Sequence, residues 1–279
     1  MKILENENLR MEIDPEYCFV ERAFYMEKQI IKESVDGHKT HGGIAPLFPY
    51  ANRIKSGKYK WEDKEFQFVT DSSGNSIHGY AKDRKWEIVA ETDRMIEMRV
   101  NLYDTAYPFN IECNVEIGLK EDSFYERSLF KNKGKEKAPL SPGFHPYFMT
   151  GDSWQIEFKD NPYKVLKKDT FFPSGNYVQY YRKMWKRRNH TYDDCFKYSG
   201  DVHITGDFYE FHMKNENANF IMIYDGELSQ GRSVAVEPMS SAIDSFNNME
   251  LLKVINPGET WPFGYSVSIS LPFFNSSSV

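Results

Sequence analysis

Ile96-Glu97-Met98-Arg99-Val100-Asn101-Leu102 alternates apolar and polar residues without a break. A period of two sends successive side chains to opposite faces, which describes a strand with one face buried and one wet. The same alternation returns along the chain. Cys113, Val115, Ile117 and Leu119 alternate with Asn114, Glu116 and Gly118; Ile156 and Phe158 are flanked by Gln155, Glu157 and Lys159. Tyr209, Phe211 and Met213 alternate with Glu210 and His212, and Tyr265, Val267, Ile269 and Leu271 with three serines. Phe220–Tyr224 and Val234–Val236 are unbroken apolar runs, which read as strands covered on both faces. Tyr25–Lys32 fits a helix or, through Gln29-Ile30-Ile31, a strand. Turn pairs punctuate the chain at Asp36-Gly37, Ser73-Gly74, Lys133-Gly134, Ser174-Gly175, Asp225-Gly226 and Pro257-Gly258. Short strands with turns throughout predict an all-β fold, a large antiparallel sandwich or barrel. No repeat or linker divides residues 1–279, so a single domain is expected. The serines at 276–278 are expected to fray.

Composition narrows the function classes. Lys and Arg total 35 against 41 Asp and Glu, a net charge of −6, which disfavours general nucleic-acid binding. The dense basic run Arg182–Arg188 reads as a solvated loop or as a subsite for a sugar phosphate. Cys18, Cys113 and Cys195 are too few and too far apart for a disulfide framework or a metal knuckle. The opening Met1–Glu7 lacks an apolar signal core, and no apolar run is long enough to span a bilayer. A cytoplasmic protein without membrane partners is expected. Aromatics make up 16% of the chain; they favour strands, and their faces also pack against the C–H face of sugar rings. Sequence alone does not rank Trp61, Trp86, Trp154, Trp185 and Trp261 between core and site.

Four stretches place polar groups among apolar or turn residues. In Ser141–Phe148, Pro142 and Pro146 fix the backbone around His145, and Phe144, Tyr147 and Phe148 wall it in. An imidazole with a defined direction and little water suits proton transfer; a core histidine in a tight turn is the alternative. In Val234–Met239 an apolar strand delivers Glu237 and Pro238 stops it. Partial desolvation there raises a carboxyl towards a working base, unless the glutamate pairs with a buried arginine. Asn52-Arg53 offers an amide and a forked cation suited to sugar hydroxyls, or a turn with a surface ion pair. Ser76-Ile77-His78-Gly79-Tyr80 sets a histidine beside a glycine that admits a close approach, or is an exposed loop. His38 and His41 have a His-x-x-His spacing with no neighbouring ligand to complete a metal site. His190, His203 and His212 read as surface residues. No phosphate-binding glycine loop and no Gly-x-Ser-x-Gly elbow is present.

Taken in order, these stretches resemble the aldose 1-epimerase (galactose mutarotase) family. The resemblance runs through Ala51-Asn52-Arg53-Ile54, Ile77-His78-Gly79, Gly143–Phe148, Tyr192-Asp193-Asp194-Cys195-Phe196, Val236-Glu237-Pro238 and Asn256–Thr260, nearly the whole chain. It implies a large twisted antiparallel β-sandwich with a sugar cleft across one sheet. It implies His145 as general acid and Glu237 as general base. Asn52, Arg53 and His78 would contact sugar oxygens and Tyr147 would line the site. Asp193, with Asp194 as competitor, would bind a hydroxyl. It implies a monosaccharide substrate and no cofactor or metal. The chain departs from the family's longer members, with His78-Gly79-Tyr80 in place of His-Gly-Gly and Pro238-Met239-Ser240-Ser241 after the base. Those departures leave the sugar open, including a hexose 6-phosphate. A non-catalytic sugar-binding domain is the second reading, and a glycoside hydrolase pairing Glu237 with Asp193, Asp194 or Asp244 is the third.

Overall fold

In the computed structural model, which describes residues 1–272, the strands gather into two large antiparallel sheets. The seven-residue alternation at Ile96 is the strand Met95–Asn101. Its Ile96, Met98 and Val100 are buried while the residues between them are only half-covered. It belongs to a nine-stranded sheet in the spatial order Glu87–Thr92, Met95–Asn101, Ile111–Lys120, Ser123–Asn132, Thr260–Ser270, Glu210–Glu216, Val202–Gly206, Trp154–Phe158, Lys183–Trp185. The second sheet has twelve strands. Its central run is Lys28–Ile31, Tyr147–Met149, Ser233–Met239, Phe220–Tyr224 and Asp193–Lys197, and the short Gly143–Phe144 also pairs with Ser233–Met239. The apolar faces of the two sheets meet in one cluster that draws on residues from Leu4 to Ile269. Each Val, Ile, Leu or Phe withdrawn from water there contributes about 1.5–3 kcal/mol. The fold is the antiparallel β-sandwich that the alternation predicts.

The twelve-stranded sheet is also covered on its other face. Phe19, Leu47, Ala51, Val165, Cys195 and Met222 belong to a second buried cluster. Ser233–Met239 is therefore buried at all seven positions, as its unbroken apolar run requires. Two local readings are settled. Tyr25–Lys32 is not helical: the strands Phe19–Tyr25 and Lys28–Ile31 are joined through Met26 and Glu27, both at positive φ. Ser174-Gly175 is not a free turn but lies within the strand Pro173–Gln179, whose ladder slips between Val165 and Lys167. The serines at 276–278 lie outside the described residues.

Candidate active site

His145 and Glu237 meet because of strand register. Tyr147 pairs with Ala235 and Gly143 with Met239. His145 lies midway between Gly143 and Tyr147, so it falls opposite Glu237, and the pleat turns both side chains to the same face. Gly143 permits the crossing there. A Cβ at that position would lie 2.7 Å from the Ala51 Cβ and 2.9 Å from the Pro238 carbonyl oxygen. The result is a His145 Nε2 to Glu237 Oε1 distance of 3.4 Å, with both side chains almost wholly buried. The same face carries Met222 and Cys195 in ladder register with Glu237, and Asp193 opposite Tyr224.

The Asn52 and His78 stretches are bound to each other. Arg53 pairs with Ile77, and the His78 N–H donates to the Asn52 carbonyl at 2.8 Å. Asn52 and His78 both have left-handed backbones, φ +54° and +61°, a conformation uncommon outside glycine that concentrates at functional sites. Gly79 is required next to His78, because a Cβ there would lie 2.0 Å from the Phe48 carbonyl oxygen. The close approach expected beside His78 is thus made by backbone. The His78 and His145 rings meet edge to face at 5.2 Å, and Tyr147 stacks on His145 at 4.8 Å. The Tyr147 hydroxyl donates to the Thr40 carbonyl at 3.2 Å and ties the loop over the site to the floor.

Asn52, Arg53, His78, His145, Tyr147, Asp193 and Glu237 all line one cleft of about 720 Å³. Five of the ten buried side-chain polar atoms without a hydrogen-bond partner among the described residues belong to them: Asn52 Oδ1, Arg53 Nε, His78 Nδ1, His145 Nδ1 and Glu237 Oε2. Buried polar groups are normally paired, so such a concentration marks where a polar ligand makes its bonds. Arg53 lies over the Phe171 ring at 4.2 Å. Burial lowers its guanidinium from the ordinary arginine value, against the charges of Asp193, Asp71 and Glu237.

Burial also sets the protons of the central pair. It pulls the His145 imidazole down to about 3 and pushes the Glu237 carboxyl well above its ordinary range. The Asp193 charge pushes Glu237 the same way, and Arg53 opposes it. His78 is lowered too, by burial and then by the charge of His145. Donor atoms of His78, His145 and Glu237 lie within 4.8 Å of one another. Two imidazoles and a carboxylate are a set that zinc accepts.

The remaining sequence candidates fall elsewhere. Asp194 pairs with Lys164 at 2.7 Å and does not line the cleft, whereas Asp193 does. Asp244 accepts from the Lys55 N–H at 3.0 Å, also outside the cleft lining. No residue of Arg182–Arg188 lines the cleft either. Its strand Lys183–Trp185 is an edge of the other sheet, and Arg182 and Lys183 pair with Glu157. The five tryptophans are likewise absent from the lining. His38 and His41 belong to it, and the expectation of no neighbouring ligand is corrected: Asp36, two residues before His38, places its Oδ2 2.7 Å from His41 Nδ1. Tyr224, Asp71, Ser72 and Lys82 also line the cleft and were not anticipated. Tyr224 ends a strand whose alternate residues face the site, so its signal was readable once the partner strand was known.

The sequence model of the family described as aldose 1-epimerase matches residues 27–268. The uncharacterised protein YihR of Escherichia coli K12 is 25% identical over 235 residues, covering 76% of this chain and 74% of YihR. The aldose 1-epimerase of E. coli K12 is 23% identical over 134 residues, 46% of this chain and 38% of that enzyme. The match spans less than half the length of that enzyme, and likewise of E. coli YphB. Among solved structures, a galactose mutarotase-like protein from Clostridium acetobutylicum superposes with a TM-score of 0.81 at 18% identity, covering 97% of this chain and 95% of that one. At such identity the likeness is one of fold.

Proposed function

The chain belongs to the aldose 1-epimerase family, and from that premise we propose that it is a sugar mutarotase interconverting the α and β anomers of a hexose by acid–base ring opening. The observation that carries the reading is the imidazole of His145 facing the carboxyl of Glu237 at 3.4 Å on the floor of the cleft. Glu237 as base takes the proton of the C1 hydroxyl while His145 as acid protonates the ring oxygen. The C1–O5 bond breaks, the aldehyde turns about C1–C2, and the ring closes on its other face as the two groups exchange roles. The pair holds one proton before the reaction and one after it. Burial by itself favours that proton on Glu237, leaving both groups neutral. Sugar hydroxyls donating to the carboxylate, together with the Arg53 charge, favour its transfer to His145 and so the working ion pair. Asn52, Arg53, His78 and Asp193 bind the hydroxyls and hold the ring in register.

The charge around the cleft favours a neutral hexose over a hexose phosphate. Lys82 is paired with Asp83 at 2.8 Å, His41 with Asp36, and Lys167 with Asp193 at 3.0 Å. Arg53 lies in the field of Asp71, Asp193 and Glu237. Polarimetry on glucose, galactose and glucose 6-phosphate, with binding of each measured in parallel, tests the reading. Faster mutarotation of a neutral hexose is expected. Saturable sugar binding with no acceleration would make this a binding module. Release of reducing sugar from a glycoside would make it a hydrolase.

A further inference from the structure

Four of the chain's seven histidines line the cleft. His38 and His41 stand on its rim. His78 and His145 lie on the floor with Glu237, each of these three more than nine-tenths buried. Among the described residues, His78, His145 and Glu237 are the one group of three histidine, cysteine or carboxylate side chains whose ligand atoms lie within 4.8 Å of one another. Each also has an atom to spare: His78 Nδ1, His145 Nδ1 and Glu237 Oε2 lack a hydrogen-bond partner among the described residues. Proton transfer uses His145 and Glu237. It does not require a second imidazole in ring contact with the first, which His78 provides at 5.2 Å.

The spacing suits a small, borderline-soft cation. Ligand atoms about 2.0–2.1 Å from a tetrahedral zinc ion lie about 3.3 Å apart. His145 Nε2 and Glu237 Oε1 already stand at 3.4 Å. The widest separation in the group, at most 4.8 Å, exceeds the tetrahedral edge by about 1.5 Å, a gap that turning the side chains closes. Two nitrogens and one oxygen select zinc or a neighbouring transition metal over magnesium and calcium, which take oxygen ligands. Three protein ligands leave the fourth position to water. Two features make such a site reversible rather than structural. His145 Nδ1, the nitrogen not facing Glu237, has no carboxylate or carbonyl to orient the ring, a support that ligating histidines usually have. Arg53 adds positive charge nearby, offset in part by Asp193 and Asp71. Coordination also takes the lone pairs that the reaction needs. With a metal on His145 and Glu237, neither can carry the proton between the C1 hydroxyl and the ring oxygen.

We propose that the cleft floor is an inhibitory zinc site: His78, His145 and Glu237 bind one zinc ion, which excludes the sugar and stops turnover until the metal leaves. The binding stands on the cluster alone; the inhibition rests on the mutarotase reading.

The test titrates chelator-treated protein with zinc chloride by calorimetry and follows glucose mutarotation at each zinc concentration. One zinc per chain is expected, with inhibition that rising glucose relieves and EDTA reverses. Magnesium chloride should neither bind nor inhibit. His78→Asn keeps a residue that tolerates the left-handed backbone, and Glu237→Gln is isosteric. Each should weaken zinc binding by at least about tenfold, the low end of what even an outer partner of a metal ligand is worth. A cooperative thermal transition without metal confirms that a variant has folded, and either alone carries the comparison. His41→Ala and His212→Ala address the rival pairs nearer the surface. There the His38 and His41 rings lie 4.9 Å apart beside Asp36, and those of His203 and His212 4.1 Å apart beside Asp201. Both variants should bind zinc as the wild type does. No saturable zinc binding, an affinity unchanged in both His78→Asn and Glu237→Gln, or an affinity lost in His41→Ala or His212→Ala overturns the site. Zinc held at His78 and Glu237 with turnover intact overturns the inhibition. Zinc bound there by a protein that turns over no sugar keeps the site and rejects the mutarotase reading; turnover with no zinc bound does the reverse.

Discussion

Glu126 and Glu237 are the two most deeply buried glutamates among the described residues, and they differ in what surrounds them. Glu126 points into the inter-sheet core from the strand Ser123–Asn132, directly across the ladder from Tyr265. Its Oε1 and the Tyr265 hydroxyl both lack a hydrogen-bond partner, and burial alone raises its carboxyl. Glu237 is equally buried, at 2% exposed for both. It lines a cleft, faces an imidazole, and is acted on by the opposed charges of Asp193 and Arg53. A raised carboxyl therefore does not identify a site. A proton partner within reach and room for a substrate do.

The largest effect that sharpens this contrast comes from the imidazole. His145→Ala should cut mutarotation by about 10²–10⁴-fold, the usual worth of one acid–base group, measured by polarimetry against the spontaneous rate. Wild-type activity in that variant would remove the distinction between the two glutamates.

The pH profile comes next. The competent pair carries one proton. Burial lowers His145 to about 3 and raises Glu237. The second proton therefore enters only in strong acid, and the first is lost only well above the ordinary carboxylate range. The kcat/KM profile should be a broad bell whose acid limb lies far below the ordinary histidine value of about 6.5. The two limbs belong to the pair rather than to single residues. In a solvated pair the carboxylate would set the lower limb and the histidine the upper. An acid limb centred near an ordinary histidine would show that the pair is not held dry.

Glu126→Gln probes the other side of the comparison. A carboxyl raised on folding contributes stability that is complete below its unfolded value of about 4.3 and is lost as pH climbs towards the folded one. The amide escapes that loss. The Tm of Glu126→Gln should match the wild type near pH 4 and exceed it increasingly towards pH 8, by an amount equivalent to at least about 1 kcal/mol, with mutarotation unchanged. A Tm gap that is flat with pH would mean that Glu126 is ionised in the core.

The smallest effect is expected of Tyr147→Phe. It keeps the ring stacked on His145 and removes the hydrogen bond to the Thr40 carbonyl. One hydrogen bond is worth about 0.5–1.5 kcal/mol, so kcat/KM should fall by no more than about tenfold. A loss as deep as that of His145→Ala would give the hydroxyl a direct part in the chemistry.

Much of this was legible in the residues. Period-two alternation at Ile96–Leu102 and Tyr265–Leu271 depends only on one face being buried, so it survives without tertiary knowledge. The unbroken run ending at Glu237 correctly implied a strand covered twice. His145 and Glu237 were readable as a donor and an acceptor, but their meeting depends on the register that sets Tyr147 against Ala235 and Gly143 against Met239, which no local pattern encodes. Spacing favoured Asp193 and kept Asp194 as a competitor; the strand turns Asp193 to the cleft and Asp194 to Lys164. The rim was least legible. His38, Asp71 and Lys82 reach the cleft from loops whose positions are set by distant contacts, such as the hydrogen bond from Tyr147 to Thr40. The basic run Arg182–Arg188, read as a solvated loop or as a sugar-phosphate subsite, includes the edge strand Lys183–Trp185 and lines no part of the cleft.

The central claim is that a single proton passing between Glu237 and His145 opens and closes the sugar ring. Exchange NMR on glucose with Glu237→Gln, an isosteric change that removes the base, addresses it most directly. The account predicts that the amide variant still binds the sugar while exchange between its anomers falls to the spontaneous rate. Exchange at the wild-type rate in that variant would contradict it.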